Sequence, residues 1–363
     1  MNCPICGGSN TSILFVGQTF TSSTSLPESF ITACSREMYP LKMLLCEECH
    51  HVYNEHMRPI VYDAYPMYNL GWSRHVGAQA DFLSTVCPCK KCVEIGGGDC
   101  KFLEHVATLT EEDGYCCIDP AGVSDKFTVY PEFSTALMEQ LNPDTVILRH
   151  TLEHFLNPKE VLENILESVQ VGTHFFIEVP NVETTLERKW FCDYMPEHPQ
   201  NFSRRSLATL AASVGLKLSV MLVNNSGTVL TLVGVKDEPY EIDQFRYVLP
   251  DVFGFDFGGT QEKLNELLKQ DIIFWGAAGK STTFLNHFYI NQSFVYDSDE
   301  RKVGKFVPGT GQKILGIKDV PETCNKVFAT SPWRANDIRR ELTLKLNRKI
   351  TVYTYSNDEI GTV

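Results

Sequence analysis

Long apolar runs are missing: no window of the 363-residue chain approaches the roughly 18 apolar residues of a membrane-spanning helix. Met1-Asn-Cys-Pro-Ile-Cys6 carries neither a basic leader nor an apolar stretch, so no export signal and no membrane partner are expected, and the chain reads as cytoplasmic. An excess of positive charge is missing too. Lys and Arg number 32 against 45 Asp and Glu. The net charge of −13 argues against nucleic acid, because sequence-independent binding needs a basic surface that releases counterions. Small molecules or proteins are the expected partners. Cysteine, by contrast, is plentiful. Thirteen is an odd number in a chain without an export signal, and points to reduced thiols and metal ligands rather than disulfides. The length accommodates two or three domains of ordinary globular composition.

The stretch Val93-Glu-Ile-Gly-Gly-Gly-Asp-Cys-Lys-Phe-Leu-Glu-His-Val106 reads as a short apolar strand, a glycine turn and an amphipathic helix. Gly96 and Gly98 let the backbone adopt φ > 0 and approach a ligand closely, with Phe102, Leu103 and Val106 on the buried helix face. Glu94 stands just before the turn. A second strand, Gly114-Tyr-Cys-Cys-Ile-Asp119, ends in an acidic residue at the spacing of a carboxylate that holds ribose hydroxyls, which makes Asp119 a cofactor-binding candidate. An NAD fingerprint needs a third glycine where Lys101 stands. Ordinary strand–helix corners also use such glycines, but the Glu-x-Gly-x-Gly order resembles the first motif of class I S-adenosylmethionine-dependent methyltransferases.

Around this corner the pattern alternates: a helix near 74–83, strands near 126–130 and 145–148, a helix over 161–169 and a strand over 174–179. Strands alternating with helices predict a doubly wound parallel sheet that binds ligands at the carboxyl ends of its strands. Tyr62, Tyr65 and Tyr68, ahead of the first helix, either line a pocket or cover the sheet. Arg149-His150-Thr-Leu-Glu153-His154 matches the H-x-x-E-H zinc-peptidase string, which requires a helix. Here His150 directly follows a strand and Pro158 soon interrupts the chain, so the segment is expected against the cofactor's sulfonium, with His150 among the cofactor contacts. Further on, Glu197-His198 sits in a proline-punctuated loop before a Ser203-capped helix over 204–214. An imidazole beside a carboxylate is an acid/base site, or the charges of a surface loop.

Cys3-Pro-Ile-Cys6 and Cys46-Glu-Glu-Cys49 are matched C-x-x-C pairs that can close a tetrahedral zinc sphere, leaving a structural rather than catalytic metal. His50 and His51 are not needed as ligands. Cys87, Cys89 and Cys92 lack a partner pair and, with Cys100, Cys116 and Cys117, read as small buried hydrophobes. After Lys236-Asp-Glu-Pro239 a helix over 261–269 leads into Asp271-Ile-Ile-Phe-Trp-Gly276-Ala-Ala-Gly279-Lys280-Ser281-Thr282, a second strand–turn–helix. Phe274 stands where a P-loop needs glycine, which argues against ATP hydrolysis; the turn with Lys280 is either an anion site or a structural corner. Asp297 ends the next strand, meeting a ligand hydroxyl or capping a turn. The sheet is expected to continue through 305–310 and 327–333.

Taken in order, these motifs resemble the sugar C-methyltransferases, the group that includes the TDP-sugar C-3-methyltransferases, over nearly the whole chain. The matching features are the paired C-x-x-C lobe, Glu94-x-Gly96-x-Gly98, Arg149-His150-x-x-Glu153-His154, Glu178-Val-Pro-Asn181, Glu197-His198 with Phe202-Ser203, and the C-terminal module. The resemblance implies an α/β protein: a zinc-binding lobe over 1–60, a class I methyltransferase doubly wound sheet over 61–236, and a C-terminal Rossmann-like domain over 237–363. It implies S-adenosylmethionine and structural Zn2+ as cofactors and a nucleotide-linked ketosugar as substrate. A base removes the proton α to the ketone and the enolate carbon takes the methyl group. The family roles fall on His198 as base and Glu197 as its neighbour. The family's tyrosine two places before this glutamate is Met195 here, and Tyr194 is carried as its substitute. O- or N-methylation, or a non-catalytic nucleotide-sugar-binding protein, are the competing expectations.

Overall fold

The computed structural model describes residues 2–21, 26–60, 72–112, 114–237, 257–277, 279–290, 292–357 and 359–363. Tyr62, Tyr65 and Tyr68, Ala278 of the second glycine turn and Pro239 at the expected boundary lie outside them. In chain order the first elements are β1 (Thr11–Thr19), α1 (Phe30–Cys34), β2 (Tyr39–Cys46), β3 (Val52–Asn54), α2 (Trp72–Val86), β4 (Lys91–Ile95), α3 (Lys101–Thr110), β5 (Gly114–Ile118) and β6 (Thr128–Tyr130). Then come α4 (Thr135–Leu141), β7 (Thr145–Arg149), α5 (Pro158–Glu167), β8 (His174–Pro180), α6 (Val182–Glu187), β9 (Gln200–Asn201), α7 (Arg204–Ser213), β10 (Leu216–Asn224) and β11 (Val229–Lys236). The last are α8 (Phe257–Leu268), β12 (Ile273–Trp275), α9 (Lys280–His287), β13 (Phe294–Tyr296), β14 (Lys313–Leu315), β15 (Lys326–Ala329), α10 (Ala335–Leu346), β16 (Thr351–Ser356) and β17 (Glu359–Thr362).

The chain forms two compact units. One comprises residues 1–13, 44–183 and 198–249, the other 14–43, 184–197 and 250–363. The first unit holds a seven-stranded sheet in the order β10-β11-β8-β7-β4-β5-β6. Its strands are parallel except β11, which runs antiparallel to both β8 and β10. β7 and β8 read as continuous apolar runs because both faces of the sheet are covered. Alternation then divides them: Val146, Leu148, Phe175 and Ile177 enter one core, and Ile147 and Phe176 the other. α3 delivers Phe102, Leu103 and Val106 to that second core, as the periodicity predicts. Cys87, Cys89, Cys92, Cys100 and Cys117 are buried in the same layer, packed as apolar side chains. β4 is flanked by β5 and β7, so the winding reverses between β4 and β7, the position at which doubly wound sheets take ligands at their strands' carboxyl ends.

The second unit repeats the plan on a smaller scale, in the order β14-β13-β12-β15-β16-β17 with only β17 antiparallel. Its strand after β13 lies at Lys313–Leu315 rather than at the expected 305–310. There Pro308 lacks a ladder donor and Gly309 and Gly311 turn the chain at φ +84° and +68°. Phe306 keeps only an isolated bridge to Lys313. Residues 14–43 and 184–197 pack within this unit. Phe191 from the second segment meets Phe15, Phe257, Phe284, His287, Phe288 and Tyr355 at centroid distances of 4.7–6.3 Å.

Candidate active site

At the carboxyl end of β4 the chain turns through Gly96 at φ +79°, and its N–H donates to Ile118 O at 2.8 Å. A Cβ there would fall 2.3 Å from Thr151 Oγ1, a hydroxyl that donates to Ile95 O, so the corner accepts only glycine. Gly98, at φ +55°, donates its N–H to Asp119 Oδ2 at 2.9 Å, and Ala121 donates to Oδ1 at 2.8 Å. Asp119 is thereby fixed at the end of β5, with the second lone pairs of its carboxylate able to accept ribose hydroxyls. Glu94 is 2% exposed and its Oε2 has no hydrogen-bond partner among the described residues. Burial pushes its carboxyl up to about 7 against the opposing pull of Arg149. A dry carboxylate with an unused oxygen beside a glycine cradle suits a cationic ligand carrying hydroxyls, and S-adenosylmethionine is one.

At the end of β7, Arg149 Nε meets Glu178 Oε2 at 2.6 Å, and His75 Nε2 lies 3.2 Å from Oε1. Burial alone would raise the Glu178 carboxyl, but Arg149 and His75 outweigh it and hold it at about 2. The Arg149 guanidinium also lies 3.9 Å over the Phe102 ring. His150 closes β7 at φ +51°, donates its N–H to Glu178 O and sets Nδ1 3.5 Å from Glu153 Oε1. Leu152–His154 is a single 3-10 turn, so the H-x-x-E-H residues share no α-helical face and the peptidase geometry is absent. That turn instead brings His154 to His198, ring centroids 4.8 Å apart at 71°. One ligand atom from each of Glu153, His154 and His198 lies within 4.8 Å of the others. His154 and Glu153 were not among the expected site residues; the signal for them was the string itself, read at a strand end rather than as a helix.

In the second unit Tyr194 is fully buried, 5.7 Å from the Phe15 ring, and burial followed by Asp193 pushes its phenol pKa upward. Glu197 is buried and accepts a short hydrogen bond from Thr21 Oγ1. Lys280, for which an anion site and a structural corner were both open, pairs with Asp193 Oδ1 at 2.8 Å and lies 4.4 Å over the Trp333 ring. Asp297 accepts from Ala277 N–H at 3.0 Å, pairs with Lys302 Nζ at 3.0 Å and accepts from Asp299 N–H, which makes it the cap of its turn.

The four expected metal ligands converge in the first unit: Cys3 Sγ lies 3.5 Å from Cys49 Sγ, and Cys6 Sγ 3.6 Å from Cys46 Sγ. Gly7, at φ +74°, and the Gly8 N–H, 3.4 Å from Cys6 Sγ, shape the first knuckle. The hydrogen bond from Cys49 draws the Cys3 thiol down to about 6, while burial pushes Cys6 up to about 11. One thiolate forms readily and the next is resisted by the first, so a soft dication is what this donor set can hold.

Residues 76–219 match a family model described as methyltransferase domain, and residues 261–349 match one described as C-methyltransferase C-terminal domain. No curated protein matches the chain. Among solved structures the chain is similar to an O-methyltransferase family protein from Burkholderia thailandensis, at 15% identity over 46% of this chain and 57% of that one, TM-score 0.37. It is similar to the N-methyltransferase NodS from Bradyrhizobium japonicum, at 12% identity over 47% and 100%, TM-score 0.34. It is also similar to the CcbJ methyltransferase from Streptomyces caelestis, at 10% over 45% and 89%, TM-score 0.33. No helix among the described residues is long and apolar enough to cross a membrane. The chain therefore carries a stretch that matches a methyltransferase domain over β4 to β8 of the seven-stranded sheet, and one that matches a C-methyltransferase C-terminal domain over β12 to β15 of the six-stranded sheet.

Proposed function

We propose that the chain transfers a methyl group from S-adenosylmethionine to carbon of a nucleotide-linked ketosugar, as the sugar C-methyltransferases it resembles do. The observation that carries this reading is the His154–His198 imidazole pair, in the same unit as the Glu94–Gly98 cradle, in a chain whose C-terminal module matches a C-methyltransferase domain. Glu94, the turn at Gly96 and Gly98, Asp119 and His150 are the residues that hold the cofactor. When bound, it supplies an electrophilic methyl group on a sulfonium.

His198 takes the proton α to the sugar ketone, and the C–H electron pair moves into the enolate. The enolate carbon would be the nucleophile for the methyl group that the bound cofactor would supply. Glu197, the next residue in sequence, is held by Thr21 and keeps the carboxylate role that the resemblance implies. Tyr194 keeps the phenol role that the resemblance implies, and its raised pKa keeps it protonated. Cys3, Cys6, Cys46 and Cys49 hold one structural zinc ion.

Incubation with methyl-labelled S-adenosylmethionine and a panel of nucleotide ketosugars tests the proposal. Carbon-13 NMR of the product is expected to report a new carbon–carbon bond; a methoxy or N-methyl product overturns the carbon-nucleophile reading. Metal analysis is expected to give one zinc per chain.

A further inference from the structure

We infer that Glu153 is the positioning carboxylate of the His154–His198 pair, holding the rings and balancing the charge that arrives when His198 accepts a proton. The inference rests on the reading of His198 as base. Glu153 is 1% exposed, and neither of its oxygens accepts a hydrogen bond among the described residues. Buried carboxylates are ordinarily satisfied, and one that is not marks a function that holds it there. Its surroundings name that function. A carboxylate oxygen of Glu153 and a ring nitrogen from each of His154 and His198 lie within 4.8 Å of one another, and His150 Nδ1 stands 3.5 Å from Oε1.

The geometry is directional. Glu153 and His154 come from the 3-10 turn after β7, while His198 arrives from the loop before β9, its carbonyl held by Asn201 Nδ2 at 3.1 Å. Beyond His150 the charged groups are Glu178 of β8, Arg149 of β7 and His75 of α2. Arg149 and Glu178 neutralise each other; Glu197 adjoins His198 in sequence and accepts from Thr21, and Glu153 is the carboxylate that shares one cluster with both imidazoles. A carboxylate so placed favours imidazolium over imidazole and selects the ring orientation that points a lone pair away from itself.

The test is a histidine nitrogen-15 NMR titration of the zinc-loaded full chain with S-adenosylhomocysteine present, in wild type, Glu153→Gln and Glu153→Asp. The ring signals are assigned through His154→Gln and His198→Gln. The ring nitrogen-15 signals of both imidazoles are expected to change tautomer signature in Glu153→Gln, with most of the wild-type pattern restored in Glu153→Asp. Unchanged ring signals overturn the inference. So does a second metal equivalent in wild type that Glu153→Gln loses, since two histidines and a carboxylate would then be metal ligands. Should Glu153→Gln not fold, the wild-type carbon-13 signal of the Glu153 carboxyl serves instead: it is expected to move in step with the imidazoles, and an unresponsive signal overturns the assignment. No sugar is needed, so failure here is distinct from failure of the methyl-transfer reading.

Discussion

Two corners of this chain are built on one plan and put to different use. In each, a strand runs into a glycine turn and a helix, and the carboxylate at the end of the next strand accepts an N–H from the turn: Gly98 to Asp119 at 2.9 Å in the first, Ala277 to Asp297 at 3.0 Å in the second. They differ in what surrounds the turn. At the second corner Asp297 also carries Lys302, Lys280 is taken by Asp193 and Trp333, and Ser281 bonds Ser331 at 3.0 Å. At the first, among the described residues, Glu94 keeps an oxygen without a partner and Asp119 accepts only from backbone N–H groups of the turn. A shared scaffold therefore does not imply a shared ligand. The corner whose polar groups satisfy one another reads as structural, and the corner that keeps a buried group unsatisfied is the one proposed to hold the cofactor.

Matched substitutions sharpen this contrast. The largest effect is expected from the histidines. His198→Asn should lower kcat by about 100-fold to 10,000-fold with cofactor affinity unchanged, as loss of a general base does. His287→Asn should leave the rate nearly intact and lower the melting temperature, because His287 is packed 4.2 Å from the Phe257 ring and burial draws its pKa down to about 4. Equal rate losses in the two variants would break the comparison.

Next come the glycines. Gly96→Val should weaken S-adenosylmethionine binding by about 100-fold or more in calorimetry, combining left-handed strain of about 1–3 kcal/mol with a clash on Thr151. Gly276→Val meets Thr330 Oγ1 and Ser281 Oγ at 2.5 and 2.6 Å and should destabilise the chain without changing that affinity more than about twofold.

The third contrast is in pH. Glu94 is raised from 4.5 to about 7, so the folded chain binds more protons than the unfolded one between those values; its contribution is present at low pH and lost as pH rises through 7. It is at most on the order of 3 kcal/mol. His287 is lowered from 6.5 to about 4, so its contribution is present above 6.5 and lost as pH falls towards 4. Between about pH 4.5 and 6.5, Glu94→Gln and His287→Asn should therefore change the slope of stability against pH in opposite directions. Chemical denaturation at several pH values measures both, and slopes of the same sign would show that one group is not buried as described.

The smallest effect belongs to the carboxylates. Asp119→Asn keeps an acceptor for the turn but weakens the hold on ribose hydroxyls, and should cost cofactor affinity about tenfold. Asp297→Asn should cost about 1 kcal/mol of stability and no affinity, because its partner Lys302 is its own.

Much of this was legible in the order of residues. Gly96 and Gly98 do adopt positive φ, Phe102, Leu103 and Val106 are buried, and Ser203 caps α7, accepting from Ser206 N–H at 3.0 Å. Each is a local property, decided within one or two turns of backbone, and the two C-x-x-C pairs are legible because their matched spacing is one that a tetrahedral donor set uses. The functional contacts are another matter. Thr21 reaches Glu197 across 176 positions, His198 meets His154 from a separate segment, and Lys280 is neutralised by Asp193 far earlier in the chain.

The amino-acid order by itself determined the alternation of strands and helices, the glycine corner, the cysteine quartet and the residue types from which a site is made, because these follow from backbone sterics, side-chain period and ligand chemistry. Only the tertiary structure decided that the Glu153 carboxylate is buried without a hydrogen bond among the described residues, that residues 184–197 pack in the second unit, and that one of two similar corners is filled by its own side chains. Burial and charge pairing are properties of neighbours in space, and which residues become neighbours depends on how the whole chain closes around its cores.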